Sequence, residues 1–339
     1  IRREQFVDKS VSIGIHVPSV AVAGLHSGQA YAEFFQEVES SGLDAIWVED
    51  RVFHPAPLAD SLLLLLWAAA HTRRLLLGTA VLVLNLRLAA VVARQVSTLH
   101  HLSGGRLALG VSLGGRPEEY EGLGIPMDQR VAVFRESMTV LRQLLGGEPV
   151  DHAGKFFQLH EATVRPAAPV PILVGGIAEA AIRRAGALAD GWIMAPFGTI
   201  EDFRRGWQIA QAAASAAGQD PNRLTAGRLL YVAVDDDRTR ARDDLVRFLH
   251  GYYGTGFDVD KHAIFGPAEE VAERLREQVD AGITHLMLGV PTLDHNHLRR
   301  LAQEVAPALR PWPRCCASLR PTRNTIRSSS PTPAARPAS

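Results

Sequence analysis

Apolar residues fall along the chain in two alternating rhythms: short runs of consecutive β-branched or other apolar residues, and longer stretches in which apolar positions return every three or four residues. The first is the pattern of buried strands and the second that of amphipathic helices, so their alternation predicts βαβ units and a parallel sheet. Eight strands are predicted, over 11–17, 44–48, 75–81, 107–111, 172–174, 191–194, 227–234 and 284–288. Helices are predicted over 29–41, 58–71, 90–101, 130–145, 178–188, 200–217, 237–250 and 268–281, with a last one over 295–309.

Eight strands each followed by a helix close more naturally into a ring than into an open sheet, so the fold class is α/β, a (β/α)8 TIM barrel with insertion segments. Three connections are too long for simple turns: 112–129, 146–171 and 251–265. Within the second, 155–159 and 163–165 are suited to a small hairpin or flap. Long loops on a rigid scaffold are where binding residues concentrate.

Composition sets the rest of the frame. The 339 residues are 47% hydrophobic and 21% charged, with 36 basic and 36 acidic side chains. That is a globular chain with a large core and no net charge to draw it to nucleic acid or an acidic membrane, which leaves a small-molecule substrate as the expected partner. The barrel is expected to occupy 1–312. From 313 the chain turns to Arg, Ser and Pro without an acidic residue, and this tail over 313–339 is expected to be disordered. Both cysteines, Cys315 and Cys316, fall in it, so the body has no thiol for a disulfide, a nucleophile or a zinc site, and cytoplasmic residence is expected. No apolar run approaches the ~20 residues of a membrane span, and the start of the chain lacks the basic-then-apolar order of a signal peptide. The sequence begins at Ile1 rather than methionine, which leaves room for native residues before it.

Five fragments carry a family signal when read in order: GTAVLVLNLR from Gly78, ARQVSTLHHLSGGRLALGVSLGG from Ala93, EEYEGLGIPMDQR from Glu118, VPILVGGIAEAAIRRAGALADGWI from Val170 and THLMLGVP from Thr284. Together they resemble the luciferase-like monooxygenase superfamily over essentially 11–309. The resemblance implies a barrel holding reduced FMN or the deazaflavin coenzyme F420, and either hydride transfer or monooxygenation of a small organic substrate. It also implies a homodimer. The alternative from another class is a non-catalytic flavin-binding or storage protein on the same barrel.

Gly175-Gly176 ends the fifth predicted strand and leads directly into a helix. Two residues without side chains let an anion approach the backbone, and the first-turn N–H groups of the helix favour negative charge. A cofactor phosphate fits there, with Ile177 beside it; the alternative is a plain strand-to-helix turn. The resemblance agrees, since the matching segment binds the flavin phosphate in similar proteins. It further implies a non-proline cis peptide at Ala80-Val81 against the ring, and ring or polyol contacts from Ser112, Leu113 and Gly114. Asn85 is a candidate for a ring carbonyl or for a turn, and Arg130 and Arg116 are candidates to add charge at the phosphate.

The second strand runs WVEDRVFHP from Trp47 and places Glu49, Asp50, Arg51 and His54 at the barrel mouth. Similar enzymes often have a histidine where Arg51 stands. Histidine titrates near neutrality, whereas arginine stays charged and serves as a fork of donors. Arg51 therefore reads as an anion or carbonyl clamp held by Asp50, with proton transfer falling to His54, to His16 at the end of the first strand, or to water. The alternative for either histidine is a hydrogen-bonding wall. His295 and His297 follow the last strand and are candidates to meet the cofactor tail. LSGGR from Leu102 and Asp190-Gly191 lie at strand starts, the non-catalytic end of a barrel, and read as structural. No metal site is expected, because no His-Glu-x-x-His or Cys-x-x-Cys pattern occurs. A Walker A loop and a Rossmann glycine fingerprint are likewise missing, which disfavours ATP and a nicotinamide bound in Rossmann fashion.

Overall fold

The computed structural model describes residues 11–20 and 25–310. The segment 313–339, expected to be a disordered tail, lies outside the described residues. Each predicted strand forms. In chain order they are β1 (Ser12–Val17), β2 (Ala45–Val48), β3 (Leu76–Val83), β4 (Leu107–Ser112), β7 (Ile172–Gly175), β8 (Gly191–Met194), β9 (Thr225–Val234) and β11 (His285–Gly289). They pair parallel in that sequence, and β11 closes onto β1 with Ser12 opposite His285, so the eight form a ring.

Helices follow the strands around the outside: α1 (Gly28–Ser40), α2 (Ser61–His71), α3 (Ala89–Leu102), α5 (Arg130–Leu145), α6 (Glu179–Leu188), α7 (Ile200–Ala216), α8 (Arg238–Tyr253) and α10 (Ala268–Asp280). Four of them start at a side chain that accepts first-turn N–H groups: Ser27, Asp60, Thr199 and Asp237 each cap the helix that follows. The last helix is not continuous over 295–309. It runs as α11 (His295–Arg300), a π turn over Leu301–Val305, and α12 (Ala306–Leu309). Pro307 lacks the N–H that would bond four residues back, and the turn before it widens.

Three elements occupy the long connections. A short helix α4 (Pro117–Gly122) fills the first. The second holds an antiparallel hairpin, β5 (Val150–Ala153) with β6 (Gln158–Ala162), so the flap exists with strands earlier than expected. Glu136 of α5 pins it by accepting the Phe156 and Phe157 N–H groups at 2.9 and 2.8 Å. The third was expected to be irregular but contains α9 (Val259–His262) and β10 (Ala263–Gly266). Tyr231 of β9 pairs with Ala263 on one side and Gly289 on the other, while Arg228 pairs with Met194 and Leu286. β10 thus continues the edge of β9 beyond the end of β8.

Two cores result from strand alternation. Outward residues such as Ile13, Ile15, Ile46 and Val48 pack under the helices, while Ala45, Trp47, Leu229, Tyr231 and Met287 fill the barrel. The interior fits large side chains against glycines. A Cβ on Gly14 would fall 2.6 Å from Trp47 Nε1, and one on Gly78 would fall 2.2 Å from the same indole.

At the strand starts, Arg106 shows what the LSGGR turn supports. Gly104 and Gly105 adopt φ of 69° and 85°, and the buried guanidinium of Arg106 donates five bonds to Ser103 O, Thr72 Oγ1, Leu75 O, Ala69 O and Thr72 O. Asp190 plays a similar part beneath β8, accepting from Ile172 N at 2.8 Å and Arg142 Nη2 at 3.1 Å.

Candidate active site

The C-terminal ends of the strands open into a cleft of about 250 Å³. Its lining comes from the ends of β2 (Glu49, Asp50), β3 (Ala80, Val81, Val83), β4 (Ser112) and β7 (Gly175, Gly176). An opposite wall is built by Pro196, Phe197, Tyr231, Tyr252 and Tyr253.

The Ala80-Val81 peptide is cis, at the point where the β3–β4 register shifts between Thr79 and Leu82. Val81 faces Gly175 closely enough that a Cβ on the glycine would sit 2.8 Å from Val81 Cγ1. Gly176 follows at φ 149°, a conformation that glycine adopts readily and a side chain would resist. A flat, side-chain-free strip beside the cis peptide suits a planar ring system with an anionic tail. Gly176 N–H is itself engaged, donating to Ile193 O at 3.1 Å. The Ala181 N–H donates to Ala178 O at 2.8 Å, so the amides of α6 left for a phosphate are those of Glu179 and Ala180, which the N-cap Ala178 does not cover with a side chain. Glu179 in that turn is neutralised by Arg183 at 2.6 Å. Ile177 is half exposed and faces an adjoining groove with Glu179, Asp202 and Arg205.

At the cleft floor, Glu49 Oε2 lies 3.0 Å from His16 Nε2, and Glu49 Oε1 accepts from Ser19 Oγ at 2.8 Å. Both members of the pair are buried. Burial pushes the His16 imidazole below its ordinary value, outweighing the opposite pull of the Glu49 carboxylate and the Ala80 backbone, so His16 is neutral at pH 7. In the sequence Glu49 has a place at the mouth but no assigned role. The signal was available in the period of two: Trp47 points into the barrel, and so therefore does Glu49.

Asp50 does not hold Arg51, which corrects the expected partnership. Its carboxylate receives a two-pronged bond from Arg87 at 2.7 and 2.9 Å, plus Ser61 Oγ at 3.1 Å and Val83 N–H at 3.0 Å. Burial raises the Asp50 carboxyl above its ordinary value, and Arg87 is the chief opposing influence. Arg51 instead lies 3.6 Å from Glu119 Oε1 and stacks over the Tyr252 ring at 5.5 Å. His54 packs on Tyr252 with ring centroids 5.6 Å apart and contacts the Tyr252 carbonyl at 3.4 Å. Neither Arg51 nor His54 borders the cleft; both brace the tyrosine that does.

Other expected contacts are redirected. Asn85 donates to Tyr120 Oη at 3.0 Å and to Arg130 O at 2.7 Å, tying the end of β3 to α5 rather than facing a ring. Arg130 Nη1 bonds Met127 O at 2.9 Å, and Arg116 sits 3.7 Å from Glu118 on the surface. Ser112 borders the cleft, but the Leu113 carbonyl accepts from Tyr120 Oη, and Gly114, at φ 75°, lies against Val83. His297 accepts Val234 N–H at 3.0 Å and His295 pairs with Glu37, so these histidines fasten α11 to β9 and α1.

The aromatic wall was not read from the sequence. Tyr231 Oη meets Tyr253 Oη at 3.0 Å, and Phe197, Phe257 and Tyr253 pack with centroids 4.9 to 5.6 Å apart. Burial raises the phenols of Tyr231, Tyr252 and Tyr253, which stay protonated and can each donate one hydrogen bond and accept others.

The sequence matches the family model described as luciferase-like monooxygenase over residues 11–257. An F420-dependent glucose-6-phosphate dehydrogenase of Kineococcus radiotolerans is 30% identical over 316 residues, covering 83% of this chain and 93% of that protein. Among solved structures, an F420-dependent secondary alcohol dehydrogenase in complex with an F420-acetone adduct superposes with a TM-score of 0.79 at 22% identity, covering 89% of this chain and all of the other. The oxygenating constituent of 3,6-diketocamphane monooxygenase from Pseudomonas putida, in complex with FMN, gives 0.71 at 19% identity over 88% of this chain and 98% of the other. With a closed parallel barrel, a diglycine corner and a cis peptide at the same mouth, the chain belongs to the luciferase-like monooxygenase family and is an oxidoreductase of that class.

Proposed function

We propose that this protein is a coenzyme F420-dependent dehydrogenase that exchanges hydride with a small alcohol or carbonyl compound. The observation that carries the reading is the buried His16–Glu49 pair at the floor of the cleft bounded by Ala80-Val81 and Gly175-Gly176. The 30% identity to an F420-dependent relative over most of both chains supports the choice of deazaflavin. When bound, a deazaflavin supplies a ring carbon that accepts or returns hydride. Gly175, Gly176 and the first turn of α6 would hold its phosphate, with Val81 and Ser112 against the ring. Glu49 faces the cleft and would accept a substrate hydroxyl proton as hydride leaves the carbinol carbon. His16 behind it, neutral at pH 7, can share that proton without admitting water. Tyr231, Tyr252 and Tyr253 would orient the substrate and exclude solvent. In the reverse direction the same pair would return a proton to the carbonyl oxygen.

FMN is the second reading, favoured by the FMN-bound structural relative. Separate titrations of the purified chain with F420 and FMN, oxidised and reduced, followed by absorbance and fluorescence, decide between them. The expected result is tight F420 binding, and bleaching of its absorbance when secondary alcohols or sugar phosphates are added. Oxygen-dependent turnover with reduced FMN alone would refute the deazaflavin assignment; binding without turnover of any substrate would refute the enzymatic one.

The quaternary part of the reading is a homodimer of a cytoplasmic protein. α2 is apolar on nearly every side, and Leu63, Leu66 and Trp67 stand on its outer face beside Leu88 and Val91 at the start of α3. A contiguous apolar face of this kind is suited to a second copy. Among the described residues, no helix is long and apolar enough to cross a membrane.

A further inference from the structure

Two buried arginines in this barrel are treated very differently. Arg106 uses five bonds to settle its guanidinium, whereas Arg228 of β9, only 3% exposed, makes two: Nη1 to Gln278 Oε1 at 2.6 Å and Nη2 to Gly198 O at 2.8 Å. Its Nε–H has no acceptor, and among the described residues it forms no ion pair. Leu229 and Tyr231 point into the barrel, so Arg228 points out, into the layer between α7 and α10. Burying an uncompensated cation is strongly unfavourable. Burial here pushes the guanidinium down to about 10, with Asp202 giving only a partial offset.

The guanidinium borders a polar cavity of about 330 Å³. Lys261, His262 and Arg274 line the same space, opposed by Glu201 and Glu277. Burial lowers both Arg274 and His262, and His262 Nδ1 is buried without a partner. Among the lining residues three permanent cations stand against two carboxylates, with Asp202 outside the lining giving a partial offset, beside a guanidinium with an unused Nε–H.

We propose that this cavity is a second binding site, separate from the redox cleft, for a small anion bearing a phosphate or carboxylate group. Arg228 and Arg274 supply directed donors, and Lys261 supplies charge at the entrance. The site lies one side chain behind the substrate wall. The His262 ring meets Phe197 at 5.5 Å and Phe257 at 5.6 Å, edge to face, and Phe197 lines the redox cleft. An anion drawn to His262 therefore bears on the wall that shapes the substrate pocket.

The test is titration of the full chain with inorganic phosphate at constant ionic strength, chloride making up the balance, followed by calorimetry and by the thermal midpoint. Wild type, Arg228→Met and Lys261→Ala are compared. Wild type should show a saturable rise in midpoint. Arg228→Met should need at least about tenfold more phosphate for the same rise, given the strength of bonds to a charged fork, yet melt no lower than wild type without phosphate, because methionine fills the space with no charge to bury. Lys261→Ala, at the surface, should weaken binding by a few fold with no change in folding. Phosphate held at the diglycine corner would be unaffected by either substitution, so a response that survives intact in both variants overturns the proposal. A wild-type response that chloride reproduces, or no saturable response, also overturns it. Acetate and phenyl phosphate arms then separate a carboxylate ligand from a phosphate monoester.

Discussion

Replacing Arg87 with leucine isolates the contribution of the Asp50 cluster. The Asp50 carboxylate is nearly inaccessible, and among the described residues Arg87 is its only cationic partner, through two bonds of 2.7 and 2.9 Å. The variant leaves a buried carboxylate with only Ser61 Oγ and Val83 N–H as donors. Breaking a buried pair by deleting one member costs about 3–5 kcal/mol, and the two surviving donors place this case near the lower end. The outer contact of Arg87 with the exposed Asp60 at 3.2 Å adds little. The sign with pH follows from the raised Asp50 carboxyl. A carboxyl whose folded-state value is raised binds its proton more tightly in the folded protein, so its unfavourable contribution shrinks as pH falls through that value. Removing Arg87 raises it further, so the loss relative to wild type is greatest at pH 8 and smaller at pH 5. Urea unfolding followed by tryptophan fluorescence at both pH values measures this. Adding Asp50→Asn to Arg87→Leu should recover much of the loss at pH 8. Equal losses at the two pH values, with no recovery in the double variant, would refute the reasoning.

Glu49→Gln should lower kcat by about 10²–10⁴-fold, the usual weight of a positioned acid–base group, while cofactor affinity is retained; stopped-flow reduction and fluorescence titration separate the two. Because burial holds His16 below its ordinary value, the acid limb of the wild-type kcat/KM profile should fall below the ordinary histidine range, and a limb at or above that range would contradict the neutral assignment. Gly176→Val forces a side chain onto φ 149° and within 2.8 Å of Ala181 Cβ, so cofactor Kd should rise by at least about tenfold, the equivalent of 1.4 kcal/mol. An unaltered Kd would remove the corner from the phosphate site. Leu63→Glu should shift sedimentation to the monomer with activity per chain largely kept; an unchanged sedimentation coefficient would place any interface elsewhere.

How far the sequence speaks depends on how local the determinant is. All eight barrel strands were legible because each is a dense apolar run bounded by turn residues, and closure followed from their number. β10 was not, since AIFG is four residues long inside a stretch rich in Gly and Tyr and forms only by pairing with the free upper half of β9. At the site, Gly175, Gly176, Ala80, Val81, Ser112 and Asp50 do border the cleft. Partnerships were harder to see than positions. Asp50 and Arg51 are neighbours in sequence just past the end of β2, yet each takes a partner from elsewhere, Arg87 from beyond β3 and Glu119 from α4. Tyr252 and Tyr253 escaped notice because α8 runs three residues past its predicted end, and only that extra turn carries them to the mouth.

The His16–Glu49 couple belongs to two adjacent rungs of the barrel, whereas the groups that would meet a substrate's carbon skeleton hang largely from the connections above. Insertions or exchanges in those connections can therefore admit a different molecule without disturbing the buried pair beneath. A scaffold divided in this way lets the pocket diversify while the pair stays fixed in the staves.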